Sequence, residues 1–250
     1  MIDTHCHLSS LDYDNLEDII DNMNKENICA ITNGIDEVTS DEAIELSKKY
    51  NNIYSAIGFH PSEIEKISNK YIEYIERNIK NIVAIGEIGL DYHYGKENMA
   101  EQKKLFENQL KLAEKYKLPV IVHSRDAIMD TYDILKKYNV RGVLHAFSGS
   151  LEMANKFIKL GFKLGIGGVI TFKNCNLKNI VSDIDIKNIV LETDSPYLSP
   201  EPVRGRKNTP LNLKYIVDYL ANLKKISCEE VINITNNTAS TIFDLNSKLC

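Results

Sequence analysis

The residues here that could do chemistry are six histidines and a few widely spaced carboxylates. His5-Cys6-His7 puts two imidazoles two residues apart, so on a strand both rings point to one side and Cys6 to the other. One metal ion could take both rings. His60, His93, His123 and His145 follow at long intervals, with Glu87 and Asp194 among them. Imidazole and carboxylate donors together suit divalent Zn, Mn, Ni or Co, whereas an all-oxygen site would suggest Mg or Ca. Taken alone, each histidine is better read as a hydrogen-bonded core or loop residue. Their placement on the elements of the chain argues otherwise.

Short β-branched runs alternate with amphipathic stretches. They are Ile2–His5, Ile28–Thr32, Ile53–Phe59, Ile82–Glu87, Pro119–His123, Gly142–Ala146, Phe162–Gly167 and Ile189–Glu192, each bounded by polar residues, Gly or Pro. Between them Leu16, Ile19, Ile20 and Met23 have helical spacing, as do Leu151, Ala154, Phe157 and Ile158 ahead of a C-capping Gly161. Thr209-Pro210 reads as a helix start leading to Leu213, Ile216, Val217 and Leu220, and Ser227-x-x-Glu230 as the capping box of a last helix. Eight strands in strict alternation favour a (β/α)8 TIM barrel over an open doubly wound sheet. α/β barrels of about 200–250 residues commonly form single domains, so the 250 residues are expected to be one. In that fold the C-terminal ends of all strands meet on one rim. His5, His7, His60, His123, His145, Glu87 and Asp194 all end or follow strands, so a metal site is expected there.

Composition agrees with a globular, water-soluble protein. Hydrophobic residues make 43% and charged residues 26%, which excludes disordered, collagen-like and disulfide-scaffold classes. A net charge of −5 excludes binding of nucleic acid through a broad basic surface, so a phosphate-bearing substrate would need a local device such as metal ions. Five cysteines without a C-x-x-C pair read as reduced thiols in a cytoplasmic protein. No apolar run approaches the ~20 residues that span a bilayer, so no membrane role is expected.

Six segments in order carry a resemblance: Met1-Ile-Asp-Thr-His-Cys-His7, Gly58-Phe-His-Pro61, Gly86-Glu-Ile-Gly-Leu-Asp-Tyr92, Pro119-Val-Ile-Val-His-Ser-Arg-Asp126, His145-Ala-Phe-Ser-Gly149 and Glu192-Thr-Asp-Ser-Pro-Tyr197. Together they resemble the TatD family of metal-dependent nucleases, within the amidohydrolase-like hydrolases of TIM-barrel fold. The resemblance implies that His5, His7, Glu87 and Asp194 surround one metal, and that Glu87, His123 and His145 hold a second, with Glu87 bridging. The ions would be Mg, Mn or Zn, with Ni or Co also compatible and a third ion joining with substrate. Relatives elsewhere in the superfamily often bridge two metals with a carboxylated lysine on the fourth strand. Here that strand reads Val-Ala-Ile-Gly-Glu, which points to the nuclease branch and away from lactonases, dihydroorotase-like and phosphotriesterase-like enzymes.

Two divalent ions about 3.5–4 Å apart can activate a shared water and clamp both oxygens of a phosphodiester displacement. The expected reaction is attack of a metal-bound hydroxide on a DNA phosphodiester, as an exonuclease preferring single strands, with Asp194 as ligand and general base. RNA is a further possible substrate, and no obligate protein partner is evident. His60 would hydrogen-bond a phosphate oxygen or protonate the leaving group, unless it merely caps its loop. Arg125 would contact a phosphate or an acidic neighbour such as Asp126. Asp91 and Glu192 are expected to orient ligands from behind, and His93 to face solvent. Arg204, Arg206 and Lys207 follow the eighth strand as a backbone-contacting patch or as solvated loop charges. Tyr92, Tyr94 and Tyr197 are candidates for stacking on bases. Gly165-x-Gly-Gly168 lacks the helix-opening context of a dinucleotide site and more simply lets backbone pass close to the centre. The same metal chemistry would serve a D-aminoacyl-tRNA deacylase. A non-catalytic metal-binding accessory protein is the third reading.

Overall fold

The computed structural model describes residues 1–93 and 97–245. Its strands are β1 (Ile2–Cys6), β2 (Cys29–Asn33), β3 (Ile53–Ile57), β4 (Ala84–Asp91), β5 (Val120–Arg125), β6 (Gly142–Leu144), β7 (Phe162–Ile166) and β8 (Ile189–Leu191). They form a single sheet in chain order with every neighbouring pair parallel. The helices α1 (Leu16–Lys25), α2 (Glu37–Lys49), α3 (Tyr71–Asn78), α4 (Met99–Tyr116), α5 (Ile128–Leu135), α6 (Leu151–Lys159), α7 (Leu177–Asp183) and α8 (Leu213–Lys224) follow the strands in turn, and α9 (Cys228–Phe243) ends the described chain. This is a (β/α)8 barrel.

The barrel closes between β8 and β1 through a few specific bonds. Thr4 Oγ1 donates to Leu191 O at 2.9 Å, Asp194 N to His5 O at 2.9 Å and His7 N to Ser195 O at 2.7 Å. The last two bonds tie ligand-bearing segments to each other. Below them, Ile2, Ile31, Ala56, Ala84, Ile121, Val143 and Val190 form an apolar cluster with Ile242 and Phe243 of α9. That helix stoppers the N-terminal end of the barrel, leaving the opposite end open for chemistry. A second cluster joins the outward faces of the strands to α3–α8, and Cys6 packs outward against α1 with Ile19, Ile20 and Met23.

Two register shifts fall where the site is built: between Asp3 and Cys6 on β1, and between Ile85 and Ile88 on β4. Bulges of this kind re-aim a side chain at a barrel mouth, here His5 and Glu87. The β4–β5 pairing then continues to Asp91 and Arg125, beyond the expected end at Glu87. Only glycine fits at 89, where φ is +149° and a Cβ would lie 2.0 Å from His123 O. Other expectations shift by a few residues. Thr209 begins a short 3-10 turn, Pro210–Asn212, and α8 starts after it, while the Ser227–Glu230 capping box is present as read. Among the described residues Cys6, Cys175 and Cys228 are free thiols. No helix among the described residues is long and apolar enough to cross a membrane.

Candidate metal centre

Glu87, 4% exposed, stands at the centre of the open rim. Its two oxygens face different partners. Oε1 lies 2.9 Å from His123 Nδ1, 3.1 Å from His145 Nε2 and 3.6 Å from His60 Nε2. Oε2 lies 3.5 Å from both His5 Nε2 and His7 Nε2. Asp194 Oδ1 approaches the same two nitrogens at 3.5 and 3.7 Å, and the nitrogens themselves are 3.2 Å apart. The six expected ligands, carried on or just after β1, β4, β5, β6 and β8, are thus brought together from almost the whole chain.

The far side of each ring shows how it is aimed. His7 Nδ1 donates to Asn33 O at 2.9 Å, leaving Nε2 with its lone pair toward the centre. His123 Nε2 faces Asp91 Oδ2 at 3.0 Å, which leaves Nδ1 toward Glu87. His145 Nδ1 lies 3.4 Å from Glu192 Oε1, and that oxygen accepts from Ala146 N at 2.6 Å. His7 and His123 therefore turn one nitrogen to an oxygen acceptor and the other inward, the arrangement that fixes metal-ligating histidines, and Glu192 stands behind His145 without a formed hydrogen bond. His5 stacks on His145, with ring centroids 3.8 Å apart, and the buried Nδ1 of each ring has no hydrogen-bond partner.

The electrostatics suit cations. Burial opposes ionisation of Glu87, yet the His60, His5 and His145 imidazoles override it and hold the carboxyl well below its ordinary range. Asp194 is lowered as well, burial being outweighed by hydrogen bonds from His5 and His7. Burial lowers His5, and it brings His60 down to about 4. His145 and His123 rise against the same burial, the former chiefly through Glu87 and the latter through Asp91 and Glu87. Donor atoms lie within 4.8 Å of one another in three groups: His5, Glu87 and His145; His5, His7 and Asp194; His60, Asp91 and His123. Ionised buried carboxylates need compensating charge. Among the described lining residues of this cavity of about 1020 Å³, the one lysine or arginine is Arg125 at its edge, so divalent ions fit the donor set.

Other expected residues are more scattered. Ser62 N donates to His60 Nδ1 at 3.1 Å, which places any ring proton of the neutral form on Nε2, the nitrogen facing Glu87. Arg204, Arg206 and Lys207 lie outside the main cavity, around a neighbouring pocket of about 580 Å³ that shares Asp12, Tyr197 and Leu198 with it. The Arg204 guanidinium lies 4.1 Å from the Phe172 ring centroid, and buried Asn208 anchors this segment by donating to Thr193 O and Tyr197 O. Tyr197 is exposed, with its ring 6.1 Å from that of His7. Tyr92 is not available to bases: it is buried and donates to Asp130 Oδ2 at 2.8 Å, because β4 runs past the expected loop. Tyr94 lies outside the described residues. His93 is exposed, its Nδ1 3.1 Å from Asp126 Oδ2.

Sequence reading missed two supports. Gln109 of α4 brackets the backbone of Phe59, accepting from its N–H at 2.8 Å and donating to its carbonyl at 3.1 Å, and so sets the residue before His60. Gln102 does the same for Asp91 at 2.9 and 2.8 Å. Their one visible signal was a pair of amides seven residues apart on the face of α4 that also carries Leu105 and Phe106.

Residues 2–244 match the family model described as TatD related DNase. The chain is 39% identical over 254 residues to the metal-dependent hydrolase YabD of Bacillus subtilis, covering 98% of this chain and 100% of that protein. It is 32% identical over 262 residues to the metal-dependent hydrolase YcfH of Escherichia coli, covering 99% and 97%. The crystal structure of YjjV, a TatD homolog from E. coli K12, superposes with a TM-score of 0.89 at 30% identity over 98% of each chain. With a barrel of the same form and a His/carboxylate centre on its open rim, the chain belongs to the TatD-related family of metal-dependent hydrolases.

Proposed function

We propose that this hydrolase cleaves phosphodiester bonds of DNA, removing nucleotides from an end of single strands with the aid of two divalent ions. The observation that carries the reading is the division of the imidazoles between the two oxygens of Glu87. His5, His7, Asp194 and Glu87 would hold one ion, and Glu87, His123 and His145 the other. Bound there, divalent ions lower the pKa of water and neutralise charge gathering on the phosphate oxygens.

The protein's own residues supply aim and proton transfer. Asp194, held ionised on the loop after β8, accepts the proton of the attacking water. His60 presents Nε2–H to a phosphate oxygen, a hydrogen-bonding role that its Ser62 contact favours over proton donation to the leaving group. Arg125 reaches the phosphate from the β5 side of the cavity. Arg204 and Arg206 meet the strand farther along, in the neighbouring pocket.

The test is end-labelled single-stranded DNA, labelled at either end, with metal-stripped enzyme reconstituted separately with Mg, Mn and Zn. Metal-dependent shortening by single nucleotides, absent in Asp194→Asn, is expected. No shortening with any metal, in protein shown to hold the ions, overturns the reading; release of amino acid from D-aminoacyl-tRNA by that same protein would replace it with ester hydrolysis.

A further inference from the structure

The cavity is larger than a phosphodiester at the donor cluster requires, since sites for whole small molecules run about 300–1,000 Å³. Its walls differ in chemistry. The acidic and basic side chains come from the loop after β1 and from β4, β5 and the segment after β8. Apart from the site itself, every described lining residue from Ala146 to Ile180 is uncharged. Phe147, Val169, Leu177 and Ile180 form an apolar flank there, completed by Leu198 from across the β8 loop, with Ser148 and Asn176 exposed at its mouth.

Leu198 is the telling residue. It is 40% exposed and sits at φ +50°, a backbone conformation that disfavours a branched apolar side chain and suits Asn or Gly. A leucine there bears a cost in both solvent exposure and backbone conformation. Gly168 lets the turn carrying Val169 press on the same loop, because a Cβ at 168 would meet Leu198 O at 2.2 Å. The two walls of the flank are thereby joined.

We propose that this flank seats the base of the terminal nucleotide being released, an inference that rests on the phosphodiester reading. The donors and the uncharged wall line one cavity, so a phosphate held among the donors would leave the base, the flat neutral part of the nucleotide, to be covered by that wall. Apolar contact with the face of a base is sequence-tolerant, whereas hydrogen-bonded readout is not. The flank therefore confers a need for a base without preference for one, and it would distinguish an end nucleotide from an abasic one.

The experiment compares otherwise identical oligonucleotides whose terminal residue, at the end the enzyme shortens, bears each of the four bases or a tetrahydrofuran abasic unit. The wild type is expected to treat the four bases within a few-fold of one another, and to lose about tenfold or more in kcat/KM on the abasic end, mainly through KM. Ile180→Trp, which fills the flank, and Leu198→Asn, which removes its outer wall while suiting the backbone, should both bring the base-to-abasic ratio toward one. Since Leu198 is half exposed, its variant keeps the test usable if Ile180→Trp misfolds. A ratio near one in the wild type, or one unchanged in folded variants, overturns the base seat while leaving the nuclease intact. Failure to shorten either substrate overturns the phosphodiester reading beneath it.

Discussion

Asp3 illustrates how much the site depends on a residue that never reaches the cavity. Fully buried, it accepts the N–H of His5 at 3.2 Å and of Thr193 at 3.0 Å on Oδ1, and Oδ2 lies 2.5 Å from Thr193 Oγ1, which in turn reaches Ser195 Oγ at 3.0 Å. It thus fixes the backbone at His5 and just before Asp194. Burial pushes its pKa up to about 8, so between about pH 4 and 8 the folded protein keeps a proton that the unfolded chain releases. That contribution to stability is complete below the unfolded value and lost as pH rises through 8, with a slope of about 1.4 kcal/mol per pH unit at most. Urea unfolding of metal-free protein should therefore show a falling contribution from pH 4 to 8 that Asp3→Asn lacks; parallel profiles would remove Asp3 as its source. A second residue-scale prediction concerns Glu192, whose Oε1 lies 3.4 Å from His145 Nδ1. Glu192→Gln keeps the shape and an acceptor for Ala146 N, and should weaken metal binding about 10–100-fold in competition with a chelating dye.

At the scale of elements, the strands deliver the ligands and α4 trims their placement. Gln102 and Gln109 reach from one helix face into two different loops, holding Asp91 beside His123 and Phe59 beside His60. Gln109→Leu leaves the buried N–H and carbonyl of Phe59 without partners, at about 1–3 kcal/mol for each orphaned group. Denaturant unfolding should register that loss, and Gln109→Glu, which buries a charge and sets an oxygen against the Phe59 carbonyl in place of a donor, should not recover it. Equal stability of the leucine variant and the wild type would show that the bracket contributes nothing. β4 makes a related point. Its bulge turns Glu87 into the mouth, and its continuation to Asp91 buries Tyr92, so one strand both builds the centre and withdraws a residue that looked available to substrate.

For the whole molecule, charge is the quantity to follow. The chain carries a net −5, yet its open rim holds Arg125 beside the donor cavity and Arg204, Arg206 and Lys207 beside the neighbouring pocket. Under the nuclease reading, a single strand would lie across both pockets over the Tyr197–Leu198 ridge they share. Each phosphate contact contributes about 0.7 to the slope of log affinity against log salt for single strands. Arg204→Ala and Arg206→Ala, each in the inactive Asp194→Asn background, should lower that slope by about 0.7 apiece in fluorescence-anisotropy titrations of labelled DNA. An unchanged slope would assign these arginines to solvent.

The barrel was legible from the sequence because eight β-branched runs and the helices between them each declare themselves locally, through periodicity, caps and flanking glycines. The convergence of His5, His7, Glu87, His123, His145 and Asp194 followed from the same reading, since parallel strands in a barrel must end on one rim. Local pattern stops at the direction of each strand. Which oxygen of Glu87 faces which imidazole depends on the bulge at Gly86–Glu87, and the turn of each ring depends on Asn33, Asp91 and Glu192, supplied from distant parts of the chain. Tyr92 and Tyr197 are alike in sequence, and only the extension of β4 buries one while the loop after β8 exposes the other. The division of the rim into a donor cluster, an uncharged flank and a basic pocket was likewise decided in three dimensions, because each wall is assembled from loops whose residues share no pattern along the chain.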